Sequence, residues 1–216
     1  MKIALTIGLL GAVAVAAPVP RDALNPKADV ERTWKAAMPV FEGPDGATNP
    51  KAEIGDKGTV TLQNRGMLVT KDKRGKGTVS FSWKWTEGND EYPDSLVVAL
   101  RCEGKQNGKW SHEVPDGLLV RFSPGGGTLS INDTAKDETR QLAPVKMAFE
   151  QGVEYKIAII DEGTRIRVVV GSKEALTADV KQGEGYTALY NREPVAGVGH
   201  KSLIQYLRLE GPAALR

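Results

Sequence analysis

The sequence predicts an all-β protein, an antiparallel sandwich. About ten short runs alternate apolar and polar residues, and Gly-, Asn- and Asp-rich turns separate them. No long helical pattern interrupts them. No strand–helix–strand alternation, which a parallel sheet would require, is present either. A barrel would satisfy the same pattern, and a sandwich is expected.

In chain order, the first residues read as a secretory signal. Lys2 gives a positive start, Ile3 to Val15 is an apolar, Ala-rich run, and Ala14-Val15-Ala16 is a small-x-small cleavage pattern. The run is shorter than the roughly 20 apolar residues of a membrane span, and no second such run follows, so no membrane span is expected. Residues 1–16 are thus assigned to a cleaved signal, and the mature protein is expected to be secreted or periplasmic. Removal of Lys2 leaves 28 of the 29 basic residues against 27 acidic ones. That balance offers no electrostatic footprint for nucleic acid or an anionic membrane. Cys102 is the single cysteine, so no internal disulfide is available. Its apolar neighbours predict a buried thiol acting as a small hydrophobe.

Residues 17–50 form an N-terminal segment with a short helix. Asn25 can cap it, and Pro26 suits its first position. Val30, Trp34, Ala37 and Met38 recur at helical spacing until Pro39, with Trp34 expected to pack on the main domain. Residues 51–211 form the sandwich domain. Its strands are "TVTLQ", "MLVTK", "TVSFSWKW", "LVVALRC", "GLLVRFS", "TLSIN", "EYKIAII", "TRIRVVV", "YTALYN" and "SLIQYLRL". "NRG" and "DEG" read as hairpin turns, and "QNGK" carries the Asn-Gly pair of tight hairpins.

Side chains alternate between the two faces of a strand. Phe81, Trp83 and Trp85 therefore share one face, with Ser80, Ser82, Lys84 and Thr86 on the other. The aromatics match the core face of neighbouring strands and read as core. Leu96, Val98, Leu100 and Cys102 would point inward by the same rule, which turns Val97, Ala99 and Arg101 outward. Lys84, Arg101, Arg121, Arg165 and Arg167 are then cations of polar faces. Arg101 is singled out because it interrupts an apolar strand, where its planar fork would suit a hydroxyl-rich or carboxylate ligand.

The loop "EGNDEYPD" holds Glu87, Asn89, Asp90, Glu91 and Asp94. Oxygen atoms at this density could ligate Ca²⁺ or provide the two carboxylates of sugar chemistry, or form a solvated turn. His112 and His200 lie in no zinc motif. "SPGGGT" lacks the Lys-Ser/Thr and the helix of a phosphate loop and reads as a strand connection. Trp110, next to the Asn-Gly turn, could stack on a sugar ring or pack its own loop.

The segments "GTVSFSWKWTEGNDEYPDSLVVALRCEG", "FEQGVEYKIAIIDEGTRIRVVVGSKE" and "YTALYNREPVAGVGHKSLIQYLRLEG" resemble, in order and layout, the concanavalin A-like lectin/glucanase superfamily. They look most like its secreted 3-keto-disaccharide hydrolase-type domains. The resemblance covers about residues 51–211. It implies a jelly-roll sandwich with a carbohydrate site on its concave face. It aligns Arg101 with the strand-end Arg of those domains, while Asn89 lies where they often carry Asn-Ser-Gly. Two functions are expected from it. One is a glycoside-acting hydrolase, with Asp90 and Glu91 as acid/base candidates, Arg101 and Asn89 on the substrate, and Trp110 as a stacking surface. The other is a non-catalytic carbohydrate- or protein-binding module of the cell envelope.

Overall fold

The computed structural model describes residues 26–37, 51–64, 66–87, 95–103, 117–124, 126–135, 138–192 and 201–211. One helix, α1 (Pro26–Thr33), leads into β1 (Trp34–Ala37). The remaining strands are β2 (Lys51–Ile54), β3 (Val60–Gln63), β4 (Met67–Thr70), β5 (Gly77–Glu87), β6 (Ser95–Cys102), β7 (Gly117–Ser123), β8 (Thr128–Ala135), β9 (Glu138–Lys146), β10 (Tyr155–Asp161), β11 (Arg165–Val170), β12 (Lys173–Asp179), β13 (Tyr186–Arg192) and β14 (Lys201–Glu210). They form two seven-stranded sheets, ordered β1-β4-β13-β6-β7-β8-β9 and β12-β11-β10-β5-β14-β3-β2. Every strand-to-strand pairing within them is antiparallel.

The alternation places the core where the sequence predicts it. β5 turns Val79, Phe81, Trp83 and Trp85 inward, all buried, while Ser80, Lys84 and Thr86 keep some exposure on the other side. Trp83 is the centre of an aromatic cluster. Its ring lies 5.5 Å from Phe149, 5.8 Å from Phe122 and 6.1 Å from Tyr155, and its Nε1 donates to Ser202 Oγ at 3.0 Å. A buried indole N–H usually finds such a partner, because leaving it unpaired costs free energy.

Three expectations are corrected. The helix ends at Thr33, and Trp34 starts a strand opposite Thr70 of β4 rather than continuing the helical spacing. Eight helical residues are marginal alone, whereas pairing with β4 gives Trp34 a ladder and a place in the core. Second, "NRG" is not a hairpin. β3 pairs with β14 and β2, whereas β4 pairs with β1 and β13, so the turn carries the chain from one sheet to the other. Gly66 permits that crossing, since a Cβ there would sit 2.0 Å from the Lys51 carbonyl oxygen. Third, Val97 and Ala99 do not line a polar face. Together with Met67, Val69, Cys102, Leu119, Ala188 and Tyr190 they form a second buried apolar cluster, separate from the main core. β6 is thus buried on both faces, as a central strand of a covered sheet is.

Candidate functional site

The end of β6 decides where its cation goes. Tyr186 of β13 faces Cys102, but Ala188 faces Ala99, so Thr187 stands against both Leu100 and Arg101. This bulge puts Arg101 at φ 58°, in the left-handed region, and turns it into the interior beside Leu100. Cys102 is correspondingly shifted to the outer apolar cluster. Bulges re-aim side chains in this way. Close backbone approach supports it: a Cβ on Gly185 would lie 2.3 Å from the Arg101 carbonyl carbon.

Inside, Arg101 meets Asp161 at the end of β10 in the opposite sheet. Nε donates to Asp161 Oδ2 at 2.8 Å, and Nη2 donates to Oδ1, a bidentate pair. Nη2 also reaches the Gly163 carbonyl at 2.8 Å, and Nη1 donates to the Lys181 carbonyl. The Gly163 N–H completes the carboxylate shell at 2.8 Å. Both residues are only 9% exposed. All three guanidinium nitrogens are engaged within the protein. A second polar tie spans the sheets, from Asn191 Nδ2 of β13 to the Leu62 carbonyl of β3 at 3.0 Å.

Beside the ion pair lies a cavity of about 20 Å³ whose walls include Arg74, Lys76, Arg101, Asp161, Thr187 and Leu100. Two cations, Arg74 and Lys76, stand there in addition to the Arg101–Asp161 pair.

The other residues marked by the sequence are placed as follows. Asn89, Asp90, Glu91 and Trp110 lie outside the described residues, as do His112 and His200. Of the acidic loop's possible Ca²⁺ ligands only Glu87 is described, and it accepts from Lys201 Nζ at 3.2 Å. Among the described residues no group of three or more His, Cys, Asp or Glu could hold a metal ion. No described helix is long and apolar enough to cross a membrane. Lys84, Arg165 and Arg167 belong to the second sheet, and Arg121 to the first. Arg165 bonds Asp179 at 2.8 Å, and Arg167 bonds Glu174 and Glu162 at 2.7 and 3.0 Å. Those side-chain hydrogen bonds raise the pKa of both guanidinium groups above the ordinary arginine value.

One surface residue was not marked by the sequence reading. Tyr206 is 70% exposed and has φ 55°. It sits in a second bulge, where Gln205 of β14 faces Ser82 but Arg208 faces Ser80. Leu207 takes the inward position and Tyr206 is left outside. The signal was present in "SLIQYLRL", where the inward residues Ile204, Leu207 and Leu209 are spaced three and then two apart. Around Tyr206 this face is small or hydrophilic, with Ser80, Gln205, Arg208, Lys156 and Ala158 in adjoining registers.

No protein-family model matches the sequence, and no curated protein matches it. Solved structures do. The carbohydrate binding module CBM66 from Bacillus subtilis superposes with TM-score 0.61 at 13% identity, over 83% of this chain and 96% of that one. The fold is the concanavalin A-like jelly roll. A Bacillus licheniformis β-glucanase shares the jelly roll with TM-score 0.60 at 13% identity, over 83% and 92% of the two chains. The alginate lyase AlgAT5 of polysaccharide lyase family 7 does so with TM-score 0.57 at 16% identity, over 87% and 98%. At these identities the likeness is one of fold, and the jelly roll supports binding and cleavage alike.

Proposed function

We propose that this protein is an exported, carbohydrate-interacting jelly roll whose primary role is binding. The observation that carries binding over cleavage is Tyr206, a ring 70% exposed beside polar side chains of the second sheet. The superpositions on a carbohydrate binding module, a glucanase and an alginate lyase alike support a carbohydrate ligand. An exposed aromatic ring offers a flat apolar face to the C–H side of a sugar, and the neighbouring Ser, Gln, Lys and Arg side chains supply donors for its hydroxyls. The apolar leader of residues 3–15 supports export.

A second reading is a glycoside-acting hydrolase of the 3-keto-disaccharide type, favoured by the segment layout of residues 51–211. In it Asp90 and Glu91 serve as acid and base, with Asn89 on the substrate and Trp110 beneath it. Arg101 acts there by fixing the end of β6, because its donors are turned onto Asp161.

The test is to incubate the mature protein with a panel of β-glucans, alginate and 3-keto-glycosides, measuring retention and products together. Retention without products is the expected result. Products lost in Asp90→Asn and Glu91→Gln, with affinity kept, would establish the hydrolase instead. Neither retention nor products would end both readings.

A further inference from the structure

We propose that the cavity beside Arg101 is a carboxylate subsite, taking a small oxyanion of the R–COO⁻ type at the open end of the sandwich. Its walls are largely apolar, with Val79, Leu100 and Leu209 among them, and carry three cations and one carboxylate, Arg74, Lys76 and Arg101 against Asp161. Asp161 is saturated by the two-pronged contact with Arg101 and by the Gly163 N–H. The positive charge of Arg74 and Lys76 is therefore left over, and neither forms an ion pair with a described residue.

Arg74 is held for such a task. Its backbone exchanges hydrogen bonds with Gly185 at 2.7 and 2.9 Å, which pins it beside the β6 bulge, and its Nη1 donates to the Gly211 carbonyl. Its Nε, however, is buried with no hydrogen-bond partner. A buried charged donor left unpaired is costly, and a charge-assisted bond to an anion would remove that cost. The cavity's 20 Å³ holds about one water-sized group, for which roughly 10–15 Å³ is needed, so one carboxylate oxygen can enter while the rest of the ligand stays outside. Lys76 is exposed at the rim, its side chain beside Gly163, where an ammonium suits an entering anion. The carboxylate has two sources, a free small acid or a uronic acid residue of a glycan. Only the second rests on the carbohydrate-binding reading.

The test is thermal unfolding of the mature protein in sodium formate and in sodium chloride at equal ionic strength, repeated with galacturonate against galactose. Formate should raise Tm saturably, by roughly 5–10 °C at a hundred times its Kd, with chloride and galactose giving no such rise. Lys76→Gln, an exposed change that leaves folding intact, should weaken formate about fivefold, the upper range for one surface charge. Arg74→Gln should abolish the effect, and if that variant does not fold, Lys76→Gln decides. Galacturonate binding tighter than formate supports the glycan source, and equal binding supports the free acid. A Tm indifferent to formate, or a rise unchanged in Lys76→Gln, overturns the subsite. Retention on neutral β-glucan alongside such a result would leave the carbohydrate reading standing without it.

Discussion

Arg101 and Asp161, 60 positions apart in sequence, join the two sheets by a bidentate ion pair whose members are both about nine-tenths buried. Removing one partner leaves an uncompensated charge inside the sandwich. Asp161→Ala is therefore expected to cost about 3–5 kcal/mol in urea unfolding. Replacing both, as Arg101→Met with Asp161→Leu, should recover most of that loss, since an apolar pair of similar volume is often neutral or better. Strictly additive losses in the double variant would show that the two residues act separately.

Trp83 should be the most sensitive position in the core. It is fully buried, in contact with three aromatic rings, and its N–H is satisfied by Ser202. Trp83→Ala is expected to cost about 3–5 kcal/mol, with Trp83→Phe costing less. The checking measurement is chemical denaturation monitored by circular dichroism, and a loss below 1 kcal/mol would contradict this packing.

Tyr206 should show the opposite trade between stability and function. Its left-handed backbone costs a non-glycine residue roughly 1–2 kcal/mol, and its exposed ring returns little burial. Tyr206→Gly is predicted to leave stability unchanged or raise it by up to about 1 kcal/mol, after the larger unfolded-state entropy of glycine is deducted. Retention on β-glucan should fall at the same time. A variant that is stable and still binds as well as the wild type would remove Tyr206 from the ligand face.

Gly185→Ala should disrupt the β6 bulge. The added methyl would lie 2.3 Å from the Arg101 carbonyl carbon and 2.5 Å from the Cys102 carbonyl oxygen, both backbone atoms. Since backbone cannot step aside cheaply, a loss of about 3 kcal/mol or more is expected, at the upper end of overpacking costs. If the Arg101 conformation depends on this approach, the formate effect on Tm should vanish with it.

The ten strands marked in the sequence all exist. The four strands it did not mark, β1, β2, β9 and β12, are the four edges of the two sheets. The physical reason is that an edge strand is half solvated and carries a weaker apolar alternation. β12 reads "KEALTAD", in which Ala178 alone is buried, and β9 carries Pro144, tolerated at an edge where a ladder donor is dispensable. The inner strands were legible because burial demands apolar residues, at every second position where one face is wet and in an unbroken run where both are covered, as in β4 and β6. Strand partners were not legible, so "NRG" read as a hairpin although it joins different sheets.

What the sequence determined by itself is the set of inner strands and the inward aromatics of β5, because alternation is a local property fixed by which face meets water. Tertiary structure alone decided the roles of Arg101 and Tyr206. One extra residue in a strand reverses the face of everything beyond it, and the register of a neighbouring strand, β13 or β5, shows where each of these bulges falls. Arg101 thereby turned inward onto a carboxylate 60 residues away, and Tyr206 turned outward onto the open face of the second sheet.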